Sequence, residues 1–335
     1  MPVKGQATPQ AKSPLQAHEF ELKPAGPREV EIQITHCGVC HSDIHLIDND
    51  WGISKYPLIP GHEIIGTVAA KGKEVSHLKV GDRVGVGWLA GTCLECEWCL
   101  RGEETSCAKQ IATCVGRPGG FAERTVAHGQ WAFKIPEALD SEGTAPLLCG
   151  GITVYTPLVE NADSSSRVGV VGIGGLGHMA IKFARAMGCE VTAFSTSPDK
   201  AAEARALGAQ HFVLSRDPTQ MKQAAESLDV LVSAVTADLD WEAWLRVLRP
   251  TGTLVFVGAS PGPINIRPFS LMAGRKSIRG SVTGGRLRIQ EMLAFAARHG
   301  IRAQTESVPL NEANAAVEKV RSNRARYRMV LRTSA

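Results

Sequence analysis

The run CLECEWCLRGEETSC, from Cys93 to Cys107, narrows the folding options of this chain more than any other stretch, because it places four cysteines at the spacing Cys-x2-Cys-x2-Cys-x7-Cys. Loops this short let Cys93, Cys96, Cys99 and Cys107 converge on one zinc ion, each sulfur about 2.3 Å away, without large backbone distortion. Four thiolates complete a tetrahedral shell and leave no position for a substrate, so the site braces a lobe over residues 91–108 and does not react. Plain core thiols or two disulfides are the alternatives, although cytosolic cysteines clustered this tightly more often bind metal. Chemistry must then lie elsewhere.

At 335 residues the chain exceeds what one hydrophobic core serves, and two domains of about 150 residues each are expected. Hydrophobic residues at 44% and charged residues at 21% describe an ordinary globular protein. The formal charge of +4 comes from 37 basic and 33 acidic residues interspersed along the chain, without the dense basic stripe that nucleic acid requires. MPVKGQATPQAKSPLQ lacks the apolar segment of a secretory signal, and no run of about 18 apolar residues offers a membrane span, so the expectation is a cytoplasmic protein with no membrane partner. Nine cysteines divide into the four above, a few that suit a second metal, and the plain thiols Cys37, Cys114 and Cys189, for which packing is the default role.

In the first segment, residues 1–149, the alternation of Glu29 to Thr35 predicts a half-buried strand running into HCGVCHSDIH, so that Cys40 and Ser42 are presented from a turn or helix start. Pro57, Pro60 and Gly61 then make a rigid loop that delivers His62 and Glu63, and Ile64 to Val68 resume as a strand in which Gly66 marks a bulge or close backbone approach. A turn at Val80-Gly81-Asp82, a strand from Arg83 to Val86 and short strands in GGFAERTVA and WAFKIPE complete a mostly antiparallel β domain. Cys149 precedes a helix-like run. A reacting zinc takes three protein ligands and keeps its fourth place for water or substrate, and Cys/His/Cys is one such set. From spacing alone Cys40, His62 and Cys149 remain open between that role and ordinary packing.

The middle segment, residues 150–283, opens with an apolar strand from Arg167 to Val171, the turn Gly172-Ile173-Gly174-Gly175-Leu176-Gly177 and an amphipathic helix. This is Gly-x-Gly-x-x-Gly between strand and helix: Gly172 permits the turn, Gly174 the approach of a pyrophosphate, and Gly177 the packing of helix on sheet. Further strands at Val191–Phe194, 210–214, Asp229–Ser233, Thr253–Val257 and 277–282 predict a doubly wound parallel sheet of six strands. An NAD site would carry an acidic residue about 20 residues beyond the glycines. Here Ser195, Thr196 and Ser197 are followed by Lys200, which favours a 2′-phosphate and therefore NADP(H) over NAD(H). Ser197 also suits a helix cap. The last two strands add Val257, Ser281 and Thr283 to the expected cofactor lining.

Six stretches, CGVCHSDIH, YPLIPGHEIIG, VGDRVGVG, the four-cysteine lobe, APLLCGGITVYTPL and GVVGIGGLGHMAIKFARAMG, resemble the zinc-dependent medium-chain alcohol dehydrogenases, and most of all their cinnamyl alcohol dehydrogenase branch. The resemblance runs in order from about Glu29 to the C-terminus. It implies an α/β protein: a mostly antiparallel β catalytic domain, GroES-like, with an inserted Rossmann doubly wound parallel sheet, the active cleft between them, and residues 284–335 returning to the first domain. It implies a catalytic zinc on Cys40, His62 and Cys149, a structural zinc on the four clustered cysteines, Glu63 as a nearby or exchanging carboxylate, and Asp43 orienting the ligand histidine. The implied activity is reversible hydride transfer between NADP(H) and a primary alcohol or aldehyde, with Ser42 passing the proton through the cofactor ribose to His45. A homodimer is implied as well. The chain departs from the branch after Cys107, where AKQIATCVGRPGGFAE stands in place of a longer loop carrying an aromatic residue. Trp51, Trp88 and Leu89 are left to line the substrate pocket, or simply to pack.

GGRLRIQEMLAFAARHG reads as an amphipathic helix stopped by Gly300, and NEANAAVEKVRSNRARYRMVL as a helix, a solvated basic turn carrying Arg321, Arg324, Arg326 and Arg328, and a closing strand. Two rival readings remain: a zinc-free quinone or enone reductase of the same fold, which has no use for the Cys40/His62/Cys149 set, and a non-catalytic zinc ribbon joined to a nucleotide sensor.

Overall fold

The computed structural model describes residues 2–333. The chain divides into two compact units, one of them Thr153–Thr283 and the other made from the chain up to Ile152 together with the chain from Gly284 onward.

The first unit is built around a strand, Glu29–Val39, whose alternation fixes its faces: Val30, Ile32 and Ile34 are buried to 1% exposure or less while the residues between them stay half-buried. It sits inside a seven-stranded sheet ordered Thr305–Pro309, Arg328–Arg332, Glu29–Val39, Glu63–Lys71, Arg83–Val86, Phe133–Lys134, with Arg124–His128 also pairing to the central strand. All these pairings are antiparallel except the first. The register beside Glu63–Lys71 shifts at Ile34/His36, opposite Gly66, where a side chain would strike the Gln33 carbonyl at 2.3 Å. The bulge predicted at that glycine is therefore a requirement of close backbone approach.

Two elements were not legible in advance. Pro2–Ala7 pairs with Gln16–Glu21 as an antiparallel hairpin, and Thr305–Pro309 forms the edge of the sheet. Every residue of that edge strand is half-buried, so it carries no apolar alternation to read. The helix Arg286–His299 ends as expected, with Gly300 in the left-handed region at φ +64°.

The second unit is a six-stranded sheet of wholly parallel neighbours, ordered His211–Leu214, Glu190–Ser195, Arg167–Val171, Leu228–Ser233, Leu248–Phe256, Ser277–Gly280. In chain order this is 3-2-1-4-5-6, the doubly wound arrangement, with helices in the crossovers. The central strands are buried on both faces, as continuous runs such as Val168 to Val171 require. Helix Gly177–Ala186 turns Met179, Ala180, Ile181, Phe183 and Ala184 inward.

Candidate active site and metal centres

The four-cysteine lobe folds on local geometry. A two-stranded ribbon, Leu89–Gly91 with Ile111–Ala112, closes its base, and the short helix Glu97–Leu100 and a single 3-10 turn at Glu104–Ser106 bend the chain between the sulfurs. Cys93 Sγ stands 3.8 Å from Cys99 Sγ and 3.5 Å from Cys107 Sγ, and all four sulfurs lie within 4.8 Å of one another. A tetrahedral shell with zinc–sulfur bonds of about 2.3 Å sets its sulfurs about 3.8 Å apart, so the donors fit that ion. Backbone amides of Glu95 and Cys96 donate to the Cys93 sulfur and lower its pKa to about 6, as a metal ligand that must be a thiolate requires.

The second centre is assembled by sheet register. Strand Glu29–Val39 ends where Gly38 faces Glu63 and Val39 faces Met329, which brings Cys40, Glu63 and Arg328 to one end of three adjoining strands. Gly38 is needed there, because a side chain would overlap Glu63 Oε2 at 1.9 Å. Cys40 is the N-cap of helix His41–Asp48, and Asp43 closes a capping box by accepting the Cys40 amide at 2.9 Å. Cys149 follows the 3-10 turn Ala145–Leu148. The structure thus brings Cys40, His62 and Cys149 together: the two sulfurs are 3.9 Å apart, His62 Nε2 is 3.2 Å from Cys149 Sγ, and the Glu63 carboxylate lies in the same group of donors. Two thiols and an imidazole at these spacings, with a carboxylate in the same group, suit the donor set of one zinc ion.

Its electrostatics are set by buried charges. Asp43 accepts His62 Nδ1–H at 2.9 Å and the Gly61 amide at 2.9 Å. Burial disfavours the imidazolium of His62, but the Asp43 carboxylate and the Cys149 sulfur outweigh it and raise its pKa well above the usual value. The Cys149 thiol hydrogen-bonds the Cys40 sulfur, and that bond, with Arg328 nearby, holds Cys40 well below the ordinary thiol range while Cys149 is pushed up. Glu63 is raised to about 8 by burial, against the pull of the Arg328 guanidinium that it bonds. Among the described residues, Glu63 Oε2 and Arg328 Nε find no hydrogen-bond partner. A completely buried carboxylate with one vacant oxygen at a set of soft donors is itself a sign of a missing cation.

Arg328 corrects the reading of Arg321 to Arg328 as a solvated turn: it is 6% exposed, opens the closing strand and faces Glu63. Arg321 is likewise engaged, bonding both oxygens of Asp48. No spacing signal pointed to Arg328, because only the pairing of the closing strand beside Val39 carries it inward. Cys114, read as a packing thiol, is fully buried and stands within 4.8 Å of Asp43 and His62. Asp50 was missed as well: its Oδ2 holds His45 Nδ1 at 2.7 Å.

Ser42 and His45 lie three residues apart on helix His41–Asp48, hence on one face of it. Trp88 meets the His62 ring edge-on at 5.0 Å, and Trp51, 44% exposed, meets Trp88 at 6.0 Å. Leu89 is buried within its ribbon strand at 2% exposure.

In the second unit Gly172 adopts φ +89°. A side chain on Gly174 would meet nothing within 4 Å, whereas one on Gly177 would strike the Gly172 carbonyl at 1.8 Å, so Gly177 packs the helix on the turn itself more closely than on the sheet. Gly175 and Leu176 complete the turn, Leu176 as N-cap of the helix. An open amide-lined turn at a helix start fits a pyrophosphate. Ser195 Oγ accepts the Ser197 amide at 3.1 Å, Thr196 lies between them, and Lys200 Nζ is 2.6 Å from Glu203. The Val257 amide donates to Ser233, that of Ser281 to Phe256, and Thr283 ends the unit.

Residues 26–137 match the family model of the alcohol dehydrogenase GroES-like domain, and residues 175–298 that of the zinc-binding dehydrogenases. The aldehyde reductase AdhA of Synechocystis sp. is 43% identical over 330 residues, 98% of each chain. Among solved structures, a cinnamyl alcohol dehydrogenase of Sorghum bicolor superposes with a TM-score of 0.95 at 38% identity, covering 99% of this chain and 98% of its own. The cinnamyl alcohol dehydrogenase of Helicobacter pylori complexed with NADP(H) gives 0.92 at 33% identity, over 99% and 98%. Likeness of this extent, over both units and in the same order, places the chain in the zinc-type medium-chain alcohol dehydrogenases, in their cinnamyl alcohol dehydrogenase-like branch.

Proposed function

We propose that this alcohol dehydrogenase/aldehyde reductase interconverts primary alcohols and aldehydes with NADP(H), and that its reacting centre is the Cys40/His62/Cys149 cluster. The observation that carries the reading is the meeting of those three donors, far apart in sequence, with the second imidazole nitrogen already committed to Asp43. When bound, zinc supplies Lewis-acid polarisation of the substrate oxygen and NADP(H) the hydride. Asp43 fixes the His62 tautomer, which leaves the Nε2 lone pair for the metal. Glu63 would offer a further carboxylate ligand beside the three donors, and Arg328 bonds its other oxygen. Ser42 takes the alcohol proton, and His45, its Nδ1–H on Asp50, carries it toward solvent. Cys93, Cys96, Cys99 and Cys107 would hold a structural zinc that braces the lobe.

Gly172, Gly174, Gly175, Leu176 and Gly177 would hold the pyrophosphate. Ser195, Thr196, Ser197 and Lys200 would receive the 2′-phosphate, a dianion that competes well with Glu203 for the Lys200 ammonium. Val257, Ser281 and Thr283 would line the rest of the cofactor. Trp51 and Trp88, with Leu89 behind them, form the apolar wall for an aromatic or medium-chain aliphatic substrate, and the short loop after Cys107 leaves that wall without a further aromatic. Nine unpaired cysteines suit the cytoplasm. The edge position of strand Ser277–Gly280, and the exposed Phe269 and Met272 of the same unit, suit a second copy in a homodimer.

The deciding experiment combines metal analysis with a panel of aldehydes followed by NADPH absorbance. Two zinc ions per chain and aldehyde-dependent NADPH oxidation are expected, and Cys149→Ser should lose one zinc and the turnover together. One zinc per chain in the wild type would favour the zinc-free reductase, and a clear preference for NADH would remove the assignment of Ser195 to Lys200.

A further inference from the structure

Four rings form an unbroken series in the first unit. His45 lies against Trp51 at 5.2 Å and 33°, Trp51 meets Trp88 at 6.0 Å and 83°, and Trp88 meets His62 at 5.0 Å and 86°. The backbone explains the first contact. Helix His41–Asp48 ends at Asn49, whose left-handed φ of 59° reverses the chain, and the Asn49 side chain accepts the Ser54 amide at 3.1 Å while Ser54 Oγ donates to the Leu46 carbonyl at 2.6 Å. This knotted turn lays Asp50 and Trp51 back over the helix at His45. Asp50 can only accept, so His45 Nδ1 carries the hydrogen of their 2.7 Å bond, and Nε2 is left as the basic nitrogen.

We propose that Trp51 is a positioning residue for proton transfer: it covers one face of the His45 ring, keeps Nδ1 on Asp50 and Nε2 free, and joins that histidine through Trp88 to the imidazole of His62. This rests on the reading that His45 ends the proton path. Asp50 alone leaves the ring free to swing about its bond to the carboxylate, and the tilted indole removes that freedom. A cationic imidazolium is also favoured at an indole, so the contact tightens when the proton arrives. The other charged groups around His45 are Asp48 and His41 on its own helix, Arg321 from helix Ala313–Arg321, where it bonds Asp48, and Lys12 from the N-terminal loop. Trp51 adds no charge to them, which separates its effect from theirs.

The test uses the zinc-loaded full chain and measures alcohol oxidation across pH for wild type, His45→Gln, Trp51→Leu and Trp51→Phe, with tryptophan fluorescence titrated in parallel. His45→Gln must alter the pH profile; if it does not, the proton-path reading itself fails. Given that it does, Trp51→Leu should lower kcat about 3- to 10-fold, the worth of an aromatic pair, and displace the profile, while Trp51→Phe restores most of both. Protonated imidazole quenches an adjacent indole, so the wild type should show a fluorescence step with pH that His45→Gln and Trp51→Phe both lose. A Trp51→Leu profile superposed on the wild type, or a change confined to KM, would leave Trp51 as pocket wall only and overturn the proposal. A fluorescence step that survives in Trp51→Phe would overturn it too.

Discussion

The two sulfur clusters of the first unit are built on opposite plans. Cys93 to Cys107 lie within fifteen residues of one another, and the Cys93 sulfur accepts from backbone amides of the same loop. Cys40 and Cys149 are separated by 109 positions, and their cluster is ringed by buried side-chain charges, Asp43, Glu63 and Arg328, drawn from a helix and two strands. Chain proximity makes the first robust and closed. Tertiary structure assembles the second from distant segments and sets the Glu63 carboxylate beside its three other donors. A bracing site should therefore fail as a piece of structure, and a reacting site should fail as chemistry.

The widest split between them should come from single ligand changes. Cys149→Ser is expected to lower turnover about 10^3-fold or more, the scale of losing a Lewis acid, with one zinc lost and thermal stability close to that of the parent. Cys96→Ser should instead lose the other zinc and lower Tm by about 10 °C or more, since metal binding in such lobes is folding free energy. Metal analysis, steady-state rates and a melting scan on the two purified variants decide it. If both variants release both metals, the clusters are not independent and the contrast drawn above is wrong.

Arg328 sharpens the comparison, because in the second cluster both members of an ion pair are buried against the donors themselves. Arg328→Met removes the counter-charge of Glu63 at 0% exposure, and above about pH 8, where the carboxyl ionises, the metal-free protein should lose about 3–5 kcal/mol, measured by denaturant unfolding. Zinc should restore part of it by taking the carboxylate. The pair also sets a pH dependence. With its pKa raised from 4.5 to about 8 in the fold, Glu63 contributes stability that is fully present below about pH 4.5 and is lost progressively as pH rises to about 8, because the unfolded chain gives up its proton first. Protein stripped of its catalytic zinc should melt lower at pH 8 than at pH 5, and Glu63→Gln should flatten that slope. An equal slope in Glu63→Gln would assign it to another group.

How far the sequence reveals each cluster follows from the same difference. Four cysteines in one short run announce a metal by spacing alone, and the strand-glycine-helix series from Arg167 to Ala186 announces a nucleotide fold because all its parts are local. The alternation of Glu29 to Thr35 gives the central strand, and Gly300 gives a helix stop. Cys40, His62 and Cys149 are legible only by resemblance, since nothing within ten residues of any one of them indicates the other two. Arg328 was misread for the same reason: among Arg321, Arg324 and Arg326 it looks like one more surface cation, and only the pairing of Met329 with Val39 turns it inward. The strands Gln16–Glu21 and Thr305–Pro309 bury no residue fully and so lack the apolar period that marks a strand, and Pro2–Ala7 alternates in burial but places Gly5 among its inward positions. Asp50 and the ring series at His45 depend on the left-handed turn at Asn49, a conformation that asparagine permits but does not dictate.

The smallest expected effect tests how the closed lobe is anchored. Glu104, inside the lobe and 2% exposed, accepts Arg286 Nε at 2.8 Å and the Arg286 amide at 3.2 Å, capping the helix Arg286–His299, and Arg286 Nη1 donates in turn to Gln130 at 2.8 Å. Glu104→Gln keeps the shape and one acceptor but removes the charge that meets the guanidinium and the helix N-terminus. A loss of about 1–3 kcal/mol is expected, with both zinc ions retained and kcat unchanged, because the sulfur geometry does not use the carboxylate. Lys109→Ala, which breaks an ion pair with Glu95 whose side chains are 75% and 73% exposed, should change nothing measurable by the same unfolding assay. If Glu104→Gln released the structural zinc, the lobe would be held by its tertiary anchor as much as by its spacing, and the two clusters would differ in degree only.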